Sequence, residues 1–180
     1  MNQSVRRALP LLLLFFVSMH AAARDAQWQK IAPGAGLADS YRLGLPGGAL
    51  EVDFAPGALD LGETPVLAHI RAGASAEVAY FGRFPVGRAR ILVVPAPGRG
   101  GDPHGTTWGD VDAFQGFTRL RIGEHSTQAD LDDDWVTTHE LVHLAFPSQE
   151  RTHHWIEEGL ATYVEPLARV KTGELRAQKV

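Results

Sequence analysis

The chain has 180 residues, of which 44% are apolar, and a formal net charge of −4. That is enough for one globular domain with a buried core. General disorder does not fit this composition, and without a basic stripe to offset the negative charge neither does a nucleic-acid partner. There is no cysteine, which excludes disulfides and a cysteine-linked lipid anchor alike.

Taken in chain order, Arg6 and Arg7 precede an apolar run from Leu9 to Val17, and the small residues Ala21, Ala22 and Ala23 follow. A charged start, a short apolar stretch and a small-residue cleavage site read as a secretory signal peptide over residues 1–23. The apolar run is short of the roughly 20 residues a spanning helix needs. Cleavage near Ala23 leaves a mature chain with no membrane span. Frequent Ala, Gly and Arg fit a GC-rich bacterial genome, so the expected location is secreted or periplasmic.

Residues 24–62 form a β-rich segment. Tyr41, Leu43 and Leu45 alternate, Pro46-Gly47-Gly48 turns the chain, and Leu50, Val52 and Phe54 alternate again. This is a hairpin pattern, closed by Ala55-Pro56-Gly57. The remainder, 63–180, mixes helical and strand patterns and is expected to be a second unit. Pro65 suits the first turn of a helix, and Val66, Leu67, Ile70, Ala74, Val78 and Phe81 recur at helical spacing up to Phe84-Pro85. Gly73 weakens that helix. Ile91 to Val94 reads as a buried strand, the Gly- and Pro-rich stretch from Pro95 to Gly109 as a loop, and Phe114 to Ile122 as a further strand.

A second helix is predicted from Asp130–Asp134 to Phe146, stopped by Pro147. Asp130, Asp132, Asp133 and Asp134 suit its positive end as caps; a calcium loop is the sharper reading, but the glycine it needs is missing. A third helix is predicted over residues 152–170, with Pro166 as a possible kink point.

His139-Glu140-Leu141-Val142-His143 is an H-E-x-x-H sequence inside the second predicted helix. Histidines four apart share a helix face and can reach one metal ion. Glu140, offset by one residue, reaches a water rather than the ion and serves as general base. Catalytic zinc usually takes three protein ligands and keeps one position open. Trp155-Ile156-Glu157-Glu158-Gly159-Leu160-Ala161 offers the third. Glu157 and Glu158 diverge by about 100° on a helix, so only one of them can face the metal. Gly159 would let the two helices approach closely.

These residues, continued by Thr162-Tyr163, resemble the gluzincin metallopeptidases, including aminopeptidase-N-like and glycyl-aminopeptidase-like members. The resemblance implies one Zn2+ held by His139, His143 and Glu158, since there the acid directly before Gly is the third ligand. It implies an α+β, thermolysin-like catalytic domain: a small mixed β-sheet packed against helices, with the zinc site between two of them. It extends to Tyr80–Pro85 with Arg90–Pro95 as a helix-then-strand pair, and to residues 116–122 as the edge strand that binds substrate backbone. The expected partner is a peptide or protein substrate. Two departures stand out. The Gly-x-Met-Glu-Asn segment that holds a free amine in aminopeptidase-N-like enzymes is missing. The chain also continues only briefly past the third helix, where a helical subdomain would supply an oxyanion donor. A zinc-binding but inactive domain and an exported interaction module are therefore the alternatives.

Among the other histidines, His69 is expected on a helix flank, His125 in a loop, and His104 in a loop that could line the cleft; His154 shares the face of Glu158 and is expected to be exposed at a helix start, with contact to the site as the alternative. Thr162, one turn after Glu158, is a candidate to support that ligand, and Tyr163 is expected to be structural.

Overall fold

The computed structural model describes residues 26–99, 105–146 and 148–177. The expected leader at 1–23, His104 and Pro147 lie outside the described residues. Six strands form one sheet in the order β1-β2-β3-β4-β6-β5: β1 (Gln29–Ile31), β2 (Asp39–Leu45), β3 (Gly48–Phe54), β4 (Arg88–Ala96), β5 (Gly105–Val111) and β6 (Phe114–Gly123). The sheet is mixed. β3–β4 and β4–β6 pair in parallel, while β1–β2, β2–β3 and β5–β6 are antiparallel. Helices α1 (Glu63–Phe81), α2 (Gln128–Asp133), α3 (Val136–Val142) and α4 (His154–Thr172) complete an α+β architecture.

The predicted hairpin is β2–β3, with Leu45 opposite Gly48 across the turn. Its alternation is what divides the sheet into two faces. Leu43, Leu50, Val52 and Phe54 join Ile91, Val93, Leu120 and Ile122 under Val66, Ile70, Ala74 and Val78 of α1. On the opposite face, Glu51 and Asp53 are covered by arginines. Arg42 and Arg88 each lie 2.9 Å from Glu51, and Arg90 pairs with Asp53. Helix α1 begins at Glu63 with Pro65 in its first turn and ends at Gly82, whose φ of 79° suits a residue without a side chain. Its Gly73, which weakens the helix by propensity, is used for packing. A Cβ there would lie 3.1 Å from Thr138 Oγ1 and 3.3 Å from Leu141 Cδ1, so α1 and α3 touch at this point.

Three sequence expectations need correction. The single helix from Asp130 to Phe146 is broken into α2 and α3 at Asp134, whose ψ of 129° is extended, and α3 tightens into a 3-10 turn at His143–Ala145. The break arises because the aspartates cap two helices rather than one. Asp130 accepts from the Thr127 N–H and hydroxyl at 2.7 Å each. Asp134 accepts from the N–H groups of Val136 and Thr137 at 3.0 and 3.2 Å and from the Thr137 hydroxyl at 2.7 Å. Second, the end of the stretch read as a loop, from Gly105 onward, is strand β5. Third, β6 is not an edge strand. It is paired by β4 on one side and β5 on the other, so its backbone cannot take up substrate; the edge is β5. Glycine density hid that strand, although Thr106, Thr107 and Trp108 are good β-formers.

Candidate metal centre and cleft

Helix α3 packs beneath α1 and beside β5, and α4 packs on both helices. Leu141 and Val142 face the core, fully buried. The 3.6-residue period then turns His139 and His143 together toward α4. Their Nε2 atoms lie 3.3 Å apart. Glu158, in the second turn of α4, brings Oε2 to 3.2 Å from His139 Nε2 and Oε1 to 3.6 Å from His143 Nε2. One donor atom from each of the three residues lies within 4.8 Å of the others.

Two imidazoles and a carboxylate are a donor set that zinc accepts, with a fourth position left to solvent or substrate. The site is rigid on the histidine side, where the side chains of His139 and His143 are 8% and 11% exposed. The Trp135 ring meets His139 edge-on at 5.3 Å. Burial holds the His143 pKa below its ordinary value, which favours the neutral, metal-binding form. His139 presents Nε2 to the site and keeps Nδ1 buried, with no hydrogen-bond partner among the described residues. The residues fit the ion.

Glu140 does not join the three ligands. Its carboxylate turns toward β5, where Oε2 accepts from the Thr107 hydroxyl at 2.7 Å. Thr107 is in turn 2.9 Å from Thr118 on β6. Burial pushes the Glu140 carboxyl up, and the Thr107 hydrogen bond and nearby His139 oppose this without cancelling it. A partly desolvated carboxyl with a raised pKa is suited to passing a proton. The strand can come this close only because position 105 is glycine. A Cβ at Gly105 would sit 2.1 Å from Glu140 Cγ and 2.7 Å from its Oε1. Neither Gly105 nor Thr107 was among the sequence candidates; the signal lay in β-forming residues next to a glycine, inside a segment that composition assigned to a loop.

The paired glutamates separate as helix geometry requires. Glu157 is buried in the wall of the cleft but outside the cluster of His139, His143 and Glu158; its Oε2 accepts from the Gln149 N–H at 3.4 Å and its Oε1 meets His154 Nδ1. His154 meets both readings that its position allows. It is exposed at the helix start, but its Nε2 also lies 3.0 Å from Glu158 Oε1, so it touches the site. Contact with Glu157 raises the His154 pKa. Thr162 is exposed, and Tyr163, expected to be structural, is 65% exposed. Gly159 is not a close-approach point, since a Cβ there would meet nothing within 4 Å; Gly73 has that role. His69 binds Asp134 at 2.8 Å, and His125 pairs with Asp60 at the surface.

A cleft of about 730 Å³ opens in front of these groups. Gly105 to Asp110 of β5 line one side of it, and Glu140, His143, His154 and Glu158 line the other. Leu144, Phe146 and Val86 extend it on the apolar side.

Neither a protein-family description nor any curated protein matches the sequence. Among solved structures, the fold is similar to the crystal structure of an aminopeptidase N family protein from Idiomarina loihiensis, with a TM-score of 0.51 at 9% identity. The match covers 86% of this chain and 27% of that one, so the chain spans about a quarter of that protein's length. At this identity what is shared is the fold.

Proposed function

We propose that this protein is an exported zinc-dependent peptidase that hydrolyses extended peptides with Glu140 as its general base. The observation that carries the reading is the convergence of His139, His143 and Glu158, with Glu140 held beside them by β5. The aminopeptidase N family neighbour supports a peptidase-like relationship through the fold it shares.

When bound, zinc would act as a Lewis acid on the scissile carbonyl and make a water molecule more acidic. The exposed edge of β5 receives the substrate backbone as an added strand and lines it up along the cleft. Glu140 takes a proton from the attacking water and returns it to the leaving amine nitrogen. Thr107 holds that carboxylate by donating to one of its oxygens. An aminopeptidase also needs a sheltered carboxylate to pair with the substrate's free amine, because an unpaired charge in a closed site is costly. The acid on β5 is Asp110, which is exposed at the strand's far end. The reading is therefore of an enzyme that accepts a blocked N-terminus.

One experiment tests this. Zinc content and cleavage of one peptide, free and N-acetylated, are measured on the mature chain and on single variants. Wild type should hold one zinc and cut both peptides. Glu140→Gln should keep zinc and lose about 10²–10⁴-fold in turnover. His143→Ala and Glu158→Gln should lose zinc, whereas Glu157→Gln should keep it. Zinc without turnover in the wild type would leave an inactive zinc-binding domain. Equal zinc in wild type and His143→Ala would remove the site altogether.

A further inference from the structure

We propose that His154 is a positioning residue for Glu158, itself held by buried Glu157, so that a Glu157–His154 pair orients the third ligand of the metal centre. The inference rests on the zinc reading above and adds a residue to it.

The three ligands are not equally fixed. His139 and His143 emerge from a helix packed on two sides, whereas the Glu158 side chain is 44% exposed and has three rotatable bonds. Without support, a glutamate in that position samples several rotamers, and only some of them put an oxygen between the two imidazoles. His154 lies one turn earlier on the same face of α4, and its Nε2 is 3.0 Å from Glu158 Oε1. The other oxygen, Oε2, is the one nearer His139, at 3.2 Å. His154 thus engages the oxygen that lies 3.6 Å from His143 Nε2, while the second lies against His139.

An exposed histidine is itself mobile unless something holds its ring. That role falls to Glu157, whose side chain is 10% exposed. It meets His154 Nδ1 through one oxygen and the Gln149 N–H through the other. The contacts form a line from the backbone at 149 through Glu157 and His154 to Glu158. It also gives a use to the second glutamate of the pair, which cannot face the metal. Partners of this kind, which do not touch the metal, commonly change metal affinity by about 10–100-fold.

The test measures zinc affinity by chelator competition on the full mature chain, comparing wild type with His154→Ala, His154→Gln and His154→Asn. The amide nitrogen of Gln falls near the Nε2 position and can still donate to Glu158; that of Asn falls near Nδ1 and cannot reach it. His154→Ala and His154→Asn should each bind zinc about 10-fold or more weakly. His154→Gln, which still reaches Glu158 but gives up the Glu157 contact at Nδ1, should recover part of the loss and keep the wild-type visible spectrum when loaded with cobalt(II). A merely structural role at the helix start would make Asn and Gln equivalent, and that result would overturn the proposal. So would wild-type affinity in His154→Ala, or a changed cobalt spectrum in His154→Gln, which would make His154 a ligand. Thermal melts of the metal-free proteins check that all four fold. Loss of zinc binding in the wild type would instead sink the functional reading itself, and this inference with it.

Discussion

Glu140 and Glu77 are both buried glutamates on neighbouring helices, and they meet opposite surroundings. On the β5 side of α3, Glu140 faces a hydroxyl donor, a histidine and the open cleft. In the C-terminal part of α1, Glu77 is fully buried, and neither of its oxygens has a hydrogen-bond partner among the described residues. Burial alone drives its pKa well above the ordinary value, because desolvation disfavours the charged form. The contrast separates two uses of burial. A carboxylate that is desolvated but still hydrogen-bonded stays able to exchange a proton with something in the cleft. A carboxylate that is desolvated and unpartnered only costs stability whenever it ionises.

The largest effect is expected from breaking the Glu140 side without touching Glu140. Gly105→Ala puts a methyl group where the glutamate's side chain now lies. Turnover should fall by about 10²–10⁴-fold, as for loss of the base itself, while zinc content stays at the wild-type level. Retained turnover would show that β5 or Glu140 can shift, and that the close approach is not needed.

The Glu77 side is tested by pH. In the unfolded chain this carboxyl ionises near its ordinary value of 4.5, while in the folded chain it stays protonated to much higher pH. The stability it allows is therefore complete below the unfolded value and is lost as pH rises toward the folded one. That slope is about 1.4 kcal/mol per pH unit. Denaturant unfolding from pH 4 to 8 should show it in the wild type, and Glu77→Gln should be flatter by that amount. Parallel profiles would mean that Glu77 is ionised and partnered in solution.

Asp134 sharpens the comparison, because it is mostly buried yet fully partnered. Burial pushes its pKa up, but the hydrogen bonds from His69 and Thr137 outweigh this and leave it lowered. Its contribution is therefore present above the ordinary aspartate value and is lost as pH falls through the folded value, opposite in sign to Glu77. Asp134→Ala should cost about 0.5–2 kcal/mol, as loss of a helix cap does. It should also make the acid limb of the stability profile shallower. An unchanged acid limb would assign the cap to other groups.

Much of this was legible in sequence for a definable reason. The hairpin, α1 and β4 announce themselves through alternation, helical spacing and a short apolar run, patterns that depend only on local backbone geometry. The ligands on α3 likewise follow from a four-residue spacing that any α-helix brings to one face. The same geometry separates Glu157 from Glu158, because adjacent residues on any helix point in different directions.

Contacts between segments distant in sequence follow no such period. Which strand lies at the sheet edge depends on the order of pairing, which put β5 outside β6 although it precedes β6 in the chain. The partner of Glu140 is 33 residues away on that strand. Whether a glycine is a weakness or a packing surface was decided by the neighbouring helix, which chose Gly73 over Gly159. His154 and Glu158, by contrast, are four apart on α4, so their contact follows from the helix itself; what packing decided is that α4 brings this pair to the two histidines of α3. Local periodicity thus determined the hairpin, α1, β4 and the shared face of His139 and His143, but not β5 or the break between α2 and α3. Only tertiary packing, which brings together groups with no fixed sequence spacing, decided that Glu140 meets Thr107 and that Glu158 meets the two histidines.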